Sequence, residues 1–365
     1  MQKIDWYIIK KFIVTFLFCM LLFTVIAVAV DSSEKTDDFV KANLSTSQII
    51  TKYYLGFVPF IWSLLFPLFV FIAVIFFTSR MASRSEIIAI LASGTSYLRF
   101  LRPYFVGGLL LATTLWLGNR YWIPKANIIR SNFQSAYIDK NDPTKTRQLT
   151  GCERCFYRRI DSNTYVGIKD YDTTSKSAHG FFMERLKGDR VVYNLRAETL
   201  AWDTATKGWK LFNAQERVVD TMGEKISFYG TKTIQMSLKP YELVKDDYLK
   251  DKLTTPELSR YIRTEEMRGT EGLSALKVEA YRRTATPAAV LLLSMIGVVI
   301  ASRKTRGGSG MHLALGIVIA ALFIVSDRFS TVFATKGSFP PALAAWLPNI
   351  VFTAVAYWLY RKTPK

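Results

Sequence analysis

The sequence predicts an α-helical membrane protein with six transmembrane helices, arranged three plus three around an inserted β domain of sandwich, jelly-roll or barrel type. Two observations carry that expectation. First, six apolar runs contain no Lys, Arg, Asp or Glu. Phe12 to Val30, Tyr53 to Thr78 and Tyr104 to Asn119 precede a long polar block; Thr284 to Ser302, Met311 to Val325 and Phe339 to Tyr360 follow it. A charge-free apolar run of about 18 residues crosses the hydrocarbon core as a helix. The third and fifth runs are shorter, so those spans are expected to continue past Arg120 and past the Asp327-Arg328 pair. Second, the block itself, about Pro124 to Arg283, is polar and strand-like. The expected organisation is spans one to three in 1–123, the inserted β domain in 124–250, connecting helices in 251–283 and spans four to six in 284–365.

Short-loop cations set the expected orientation, because Lys and Arg are retained on the cytoplasmic side. Lys3, Lys10 and Lys11, then Arg80, Arg84, Arg99 and Arg102, then Arg303, Lys304 and Arg306, and finally Arg361, Lys362 and Lys365 all fall on one side of a six-span chain. The opposite loop, Asp31 to Lys41, holds four acids. Both termini are therefore expected in the cytoplasm and the central domain on the far side of the membrane. The first run ends Ala29-Val30-Asp31 without a small-x-small cleavage site, so it reads as a retained helix.

The net charge of +19 divides unevenly. Residues 124–283 hold 29 basic and 22 acidic residues, a surplus of seven, while the rest holds 19 against seven, a surplus of twelve. Most of the excess is topological, which argues against a nucleic-acid-binding face.

Within the block, short strands are expected at Phe156 to Ile160, Thr164 to Ile168, Phe181 to Leu186, Val191 to Leu195 and Glu198 to Trp202. They continue at Trp209 to Ala214, Gln215 to Val219, Lys225 to Tyr229 and Thr233 to Met236. That spacing, with turn residues between, suggests a sandwich, jelly roll or barrel. Asp203 to Gly208 reads as a hairpin turn between Trp202 and Trp209. Thr254-Thr-Pro-Glu-Leu258 is a helix start, with a Thr cap, an early Pro and an acid in the first turn.

Catalytic signatures do not emerge. There is no G-x-S-x-G, H-E-x-x-H or Walker A motif, and only His179 and His312 are present. Cys152 and Cys155 form a C-x-x-C that reads as a local disulfide or idle thiols; two cysteines do not complete a four-ligand zinc site. Cys19 reads as packing. No cofactor is expected.

The segment between the second and third runs is the most informative: Ser79-Arg-Met-Ala-Ser-Arg-Ser-Glu-Ile-Ile-Ala-Ile-Leu-Ala-Ser-Gly94. Ser85 or Ser83 is expected to cap a short helix whose first turn carries Glu86 and whose apolar face carries Ile87, Ile88, Ile90 and Leu91, with Gly94 ending it. Two readings stay open: a helix lying on lipid, or a lever through which a cytosolic protein pushes the membrane domain. Asp327-Arg328 likewise reads as an interfacial ion pair or as a stabiliser of a moving helix.

Three segments give the chain a family resemblance. They are Phe66-Pro67 with Ser79-Arg80-Met81 and Ser85-Glu86-Ile87-Ile88-Ala89 through Gly94; Leu253-Thr-Thr-Pro-Glu-Leu258; and Gly337-Ser-Phe-Pro-Pro-Ala-Leu-Ala-Ala-Trp346-Leu-Pro-Asn349. In this order, across nearly the whole chain, they resemble the LptF/LptG (YjgP/YjgQ) permeases of lipopolysaccharide export, with a lean towards LptG from the Pro-Pro-Ala-Leu-Ala-Ala-Trp run and Asp327. The resemblance implies a paired second permease of the same family, a dimeric cytosolic ABC ATPase, a periplasmic jellyroll bridge and lipopolysaccharide as cargo. It makes Arg84, Ser85, Glu86, Ile87, Ile90 and Gly94 the ATPase-coupling segment. It implies an acyl-chain groove in the jellyroll, for which Phe181, Phe182, Tyr193 and Trp202 are candidates, although the same aromatics also suit an ordinary core. The chain departs from the family in lacking a cation between Lys11 and Lys35; Lys35, Lys41, Arg120, Lys125 and Arg130 are the substitutes expected to meet lipid phosphates. Two other classes compete: a non-transporting envelope scaffold, and a membrane enzyme acting through Cys152 and Cys155.

Overall fold

The computed structural model describes residues 3–139, 156–172, 177–188, 190–203, 206, 208–220, 223–236, 248–268, 270, 272–303 and 308–362. Cys152 and Cys155 lie outside them. The chain forms two compact units: Met1–Tyr137 with Lys250–Ser259 and Ser274–Lys365, and Ile138–Leu249 with Arg260–Leu273.

Among the described residues, six helices are long and apolar enough to cross a membrane: Lys3–Glu34, Thr46–Ser83, Tyr97–Ile138, Ser274–Ala301, Gly310–Lys336 and Pro341–Arg361. The first five are longer than their apolar runs, because helical hydrogen bonding satisfies the backbone as well in the polar margins as in hydrocarbon. The third and fifth pass Arg120 and Arg328, as expected. The supposed loop Asp31 to Lys41 is instead helical, with Asp31 inside the first span and Thr36–Lys41 a helix of its own. Pro287 lies inside a helix that continues to Ala301, and Pro59, Pro67, Pro103 and Pro348 are also accommodated within helices. The sixth span starts at Pro341, where a missing N–H costs nothing.

Lipid tails are as apolar as Leu, so these helices associate by close fit rather than by escape from water. Small residues permit that fit. A Cβ on Gly56 of the second span would stand 2.5 Å from the Ala126 carbonyl and 2.6 Å from the Arg130 amide of the third. One on Gly108 would stand 2.5 Å from Ser294 Oγ of the fourth. The fourth span is the most enclosed, with 67% of its most apolar window buried, whereas the first has 11% and the fifth 17%.

The second unit is a single open antiparallel sheet of jellyroll-like character. Its strands are β1 (Phe156–Asp161), β2 (Thr164–Ile168), β3 (Asp170–Asp172), β4 (Ser177–Lys187), β5 (Arg190–Asp203), β6 (Gly208–Asp220) and β7 (Gly223–Ile234). They run β1-β2-β4-β5-β6-β7, with β3 also pairing β4. The expected hairpin is present, with Trp202 facing Trp209 and Asp203 facing Gly208.

The short expected strands are merged into long ones. The register runs unchanged from Phe181↔Ala197 to His179↔Thr199, from Ala197↔Ala214 to Thr199↔Phe212 and from Ala214↔Tyr229 to Phe212↔Thr231. Gly180, Glu198, Asn213 and Gly230, the residues skipped in those steps, make one line across four strands. Gly180 and Asn213 have φ of +66° and +50°. Across this line the buried face changes parity, from Ala197 to Leu200 in β5 and from Leu211 to Ala214 in β6. The core then gathers Val166, Ile168, Phe181, Leu195, Leu200, Trp209 and Leu211. A buried ion pair also stabilises this unit: Arg158 donates to Glu265, which accepts from Thr270 Oγ1 at 2.8 Å and Arg268 at 3.2 Å. Burial alone would raise the Glu265 carboxyl, but the bonds from Arg158 and Thr270 outweigh it and hold the group below its ordinary value.

Two predictions follow from these contacts. Gly56→Leu is expected to cost about 1–3 kcal/mol or more, since backbone rather than side chain stands in the way; thermal unfolding in detergent should show a lower midpoint, and an unchanged midpoint contradicts the packing described. Arg158→Ala should cost about 1.5–3 kcal/mol, because Glu265 loses its most buried donor and keeps only Arg268 and Thr270. Because folding lowers the Glu265 pKa, its contribution is complete above the ordinary value of 4.5 and is lost as pH falls below it. Hydrogen exchange of the strands in the full chain, measured across that range, should lose this pH dependence in Glu265→Gln.

Candidate functional site

Two places in the helical unit gather chemistry. The first is the helix Glu86–Ala92, between the second and third spans. Ile87 is 2% exposed and packs into the same core as Phe77, Met81 and Phe100, with Ile90 and Leu91 against its rim. Ile88, 51% exposed, points away from that core. The helix is thus anchored on the bundle by one side. Its expected serine cap is not formed. Ser85 sits at φ 59° with no capping bond to the helix, and the Ser83 hydroxyl donates back to the Arg80 carbonyl at 2.9 Å. A left-handed residue aims its side chain away from the free amides, so the turn is set by backbone geometry instead. Gly94 does close the segment, at φ +85°. Glu86 accepts from Tyr7 Oη at 3.2 Å, Arg84 is exposed, and nearby Arg99 pairs with Asp5 at 2.8 Å.

The second is a polar cavity of about 220 Å³ at the opposite end of the bundle. Span two contributes Phe60 and Ser63, span three Asn119 and Asn127, span four Glu279, Arg282, Arg283 and Thr286, and span five Arg328; Lys250 and Asp251 close it. The π-helical turn Gly118–Trp122 carries Asn119, which accepts from Ser63 at 2.7 Å. Arg283 is 7% exposed, donates to the Lys250 carbonyl at 2.8 Å and lies 3.5 Å from Glu279. Arg282 pairs with Asp327 at 2.8 Å. Asp327 therefore pairs with the fourth span, not with its neighbour Arg328 as the sequence suggested. A smaller, mostly apolar cavity of about 70 Å³ adjoins this one and shares Leu64, Arg282, Thr286 and Arg328 with it.

A six-span bundle interrupted by a jellyroll-like sheet, with a docked helix at one end and a cationic cavity at the other, is a narrow combination. The model of the lipopolysaccharide export system permease LptF/LptG matches residues 6–362. The chain belongs to this family. The match covers LptF and LptG alike and does not separate the two. No curated protein matches the chain significantly.

LptF/LptG membership makes the chain a transport permease, and the remaining sequence candidates can be placed within it. Lys35 is engaged internally: it pairs with Asp31 at 2.5 Å, donates to Tyr53 Oη and lies 4.6 Å above that ring, while Tyr53 Oη donates to Asp31 at 3.0 Å. Lys41 and Lys125 are exposed. Arg120 lies over Trp116 and Tyr121 at 5.4 and 5.5 Å. Arg130 is 7% exposed, stacks 3.8 Å over Phe60 and pairs with Asp251 at 3.4 Å, so it belongs to the interior and not to the membrane surface.

In the sheet, Phe181 is a core residue at 2% exposure, and Tyr193 and Trp202 pack against the same core. Trp202 meets Trp209 edge-on at 5.0 Å, and Tyr193 donates to Glu216 at 2.8 Å. Phe182 lies on the other face, its ring covering Gly167 and 5.9 Å from Tyr157. Arg282, Arg283 and Glu279 escaped the sequence reading because they sit in a helical segment that reads as a solvated connector. Among the described residues, no group of three or more His, Cys, Asp or Glu side chains is placed to hold a metal ion.

Proposed function

We propose that this chain is one permease of an ATP-driven exporter that draws lipopolysaccharide from the inner membrane and passes it through its jellyroll towards the outer membrane. The observation that carries this reading is the family match over 6–362, which takes in both the helical bundle and the inserted sheet. ATP hydrolysis is supplied by a separate cytosolic ABC ATPase dimer. The termini and the Glu86–Ala92 helix are cytoplasmic and the sheet periplasmic, in line with the short-loop cations.

On this reading the segment from Arg84 to Gly94 couples the ATPase to the spans. Arg84, Ser85 and Glu86 meet the ATPase, Ile87 and Ile90 transmit its movement into the core, and Gly94 fixes the turn. Lys41, Arg120 and Lys125 form the cationic rim that receives lipid phosphates, while Lys35 and Arg130 sit behind it in their pairs with Asp31 and Asp251. The sparsely buried first and fifth spans offer faces to a second permease of the family and to the lipid. Within the sheet, Phe182 is the best placed of the four groove candidates, since Phe181, Tyr193 and Trp202 already serve the core. Edge strand β7 exposes Ile226 at 48% and Phe228 at 77%, which suits strand pairing with a periplasmic jellyroll bridge.

Affinity purification from the native membrane with mass spectrometry of proteins and lipids tests this directly. An ABC ATPase, a second six-span permease and lipopolysaccharide should accompany the chain; a clean monomer without them contradicts the proposal. Glu86→Lys should lower the recovered ATPase at least about tenfold by placing a like charge where an acid is needed, while leaving the thermal midpoint of the purified chain unchanged. Undiminished recovery rules out a coupling role for Glu86.

A further inference from the structure

We propose that the two adjoining cavities inside this one chain form a binding site for a single phosphate-bearing lipid, its phosphate in the polar cavity and the first carbons of one acyl chain in the apolar one. The inference stands on the cavities themselves and survives the failure of the export reading.

The charge balance is the first argument. The polar cavity is lined by Lys250, Arg282, Arg283 and Arg328 against Asp251 and Glu279. The acids next to it are already engaged: Asp251 with Arg130, Glu279 with Arg283, and Asp327 with Arg282. No acid among the described residues pairs with Arg328. Counting Arg130 and Asp327, five cations face three acids, a surplus of two positive charges. Cations gathered beside a low-dielectric bundle favour an anion, and a planar guanidinium favours phosphate.

Unpartnered acceptors are the second argument. Asn127 is 5% exposed and donates its Nδ2 to the Asp251 carbonyl at 3.1 Å, yet its Oδ1 has no donor. Asn349, 7% exposed, repeats the pattern in the apolar cavity: Nδ2 donates to the Ala285 carbonyl at 2.8 Å and Oδ1 is left over. A buried acceptor without a donor is costly, so each suits a hydroxyl brought by a ligand. A headgroup sugar or glycerol would reach Asn127; a hydroxylated acyl chain would reach Asn349.

The third argument is continuity. Arg282, Thr286 and Arg328 line both cavities, and beyond them the wall becomes Leu68, Ala289, Leu293 and Phe323. A site that is cationic at one end and apolar at the other matches a phospholipid or the lipid A of a glycolipid, and neither a free anion nor a sterol.

The full chain in detergent would be titrated with phosphatidylglycerol, diacylglycerol of the same chains and lipid A, and bound lipid counted by native mass spectrometry. Phosphatidylglycerol or lipid A should bind about tenfold more tightly than diacylglycerol, as a charge-assisted contact requires. Arg328→Gln, at an exposed position, and Thr286→Phe, which fills the junction, should each weaken that binding about fivefold or more without lowering the thermal midpoint. Preference for lipid A would identify the occupant as the glycolipid itself, and preference for phosphatidylglycerol as a resident membrane lipid. Equal binding of diacylglycerol, or phosphate-lipid binding unchanged in both variants, overturns the proposal.

Discussion

Hydrocarbon offers no partner to a polar group, and this constraint orders the helical unit. Backbone N–H and C=O groups must be satisfied within each span, so the spans are continuous helices that hold even their prolines. Polar side chains inside the bundle must also find one another. Trp62 donates to Thr24 at 2.8 Å, Ser63 to Asn119 at 2.7 Å, Thr78 to Tyr104 at 3.1 Å, and Asn349 to the Ala285 carbonyl at 2.8 Å. Charges are driven to the two ends. One end carries the Asp5–Arg99 pair beside the Glu86–Ala92 helix, and the other the Arg282–Asp327 and Arg283–Glu279 pairs around a cavity.

That sorting gives the family function its physical setting. A transporter needs an end where force enters and an end where an amphiphile is held. The Glu86–Ala92 helix seats Ile87 in the core shared by the second and third spans, so a push on it is a push on the spans. At the other end, Lys35 is held by Asp31 and Tyr53 and Arg130 by Asp251, and on the proposed reading a lipid phosphate arriving there competes with these internal partners rather than meeting bare cations. On the proposed reading this competition makes release possible, because cations already compensated bind an anion less tightly than isolated ones.

Residue patterns revealed the fold better than the site. Charge-free apolar runs are a one-dimensional signal, and the six spans follow from them. Their ends do not, because a helix carries on through charged margins, as from Asp31 to Glu34. The sheet shows why alternation was weak. The line through Gly180, Glu198, Asn213 and Gly230 changes the buried parity in mid-strand, so β5, β6 and β7 each read as two short strands broken near that line, and β4 reads only from Phe181 onward. Ser85 read as a cap by residue type, and its positive φ is not written in composition. The cationic cavity draws on four spans and a connector, and Asp327 finds Arg282 45 positions away. Pairings of that range have no local trace.

The central claim is that this chain moves lipopolysaccharide out of the inner membrane. The most direct measurement is to deplete it in its native cell and follow pulse-labelled lipopolysaccharide between separated inner and outer membranes. The account predicts that label accumulates in the inner membrane while phospholipid traffic continues. Arrival of label in the outer membrane at the undepleted rate would contradict it and leave the chain as an envelope scaffold.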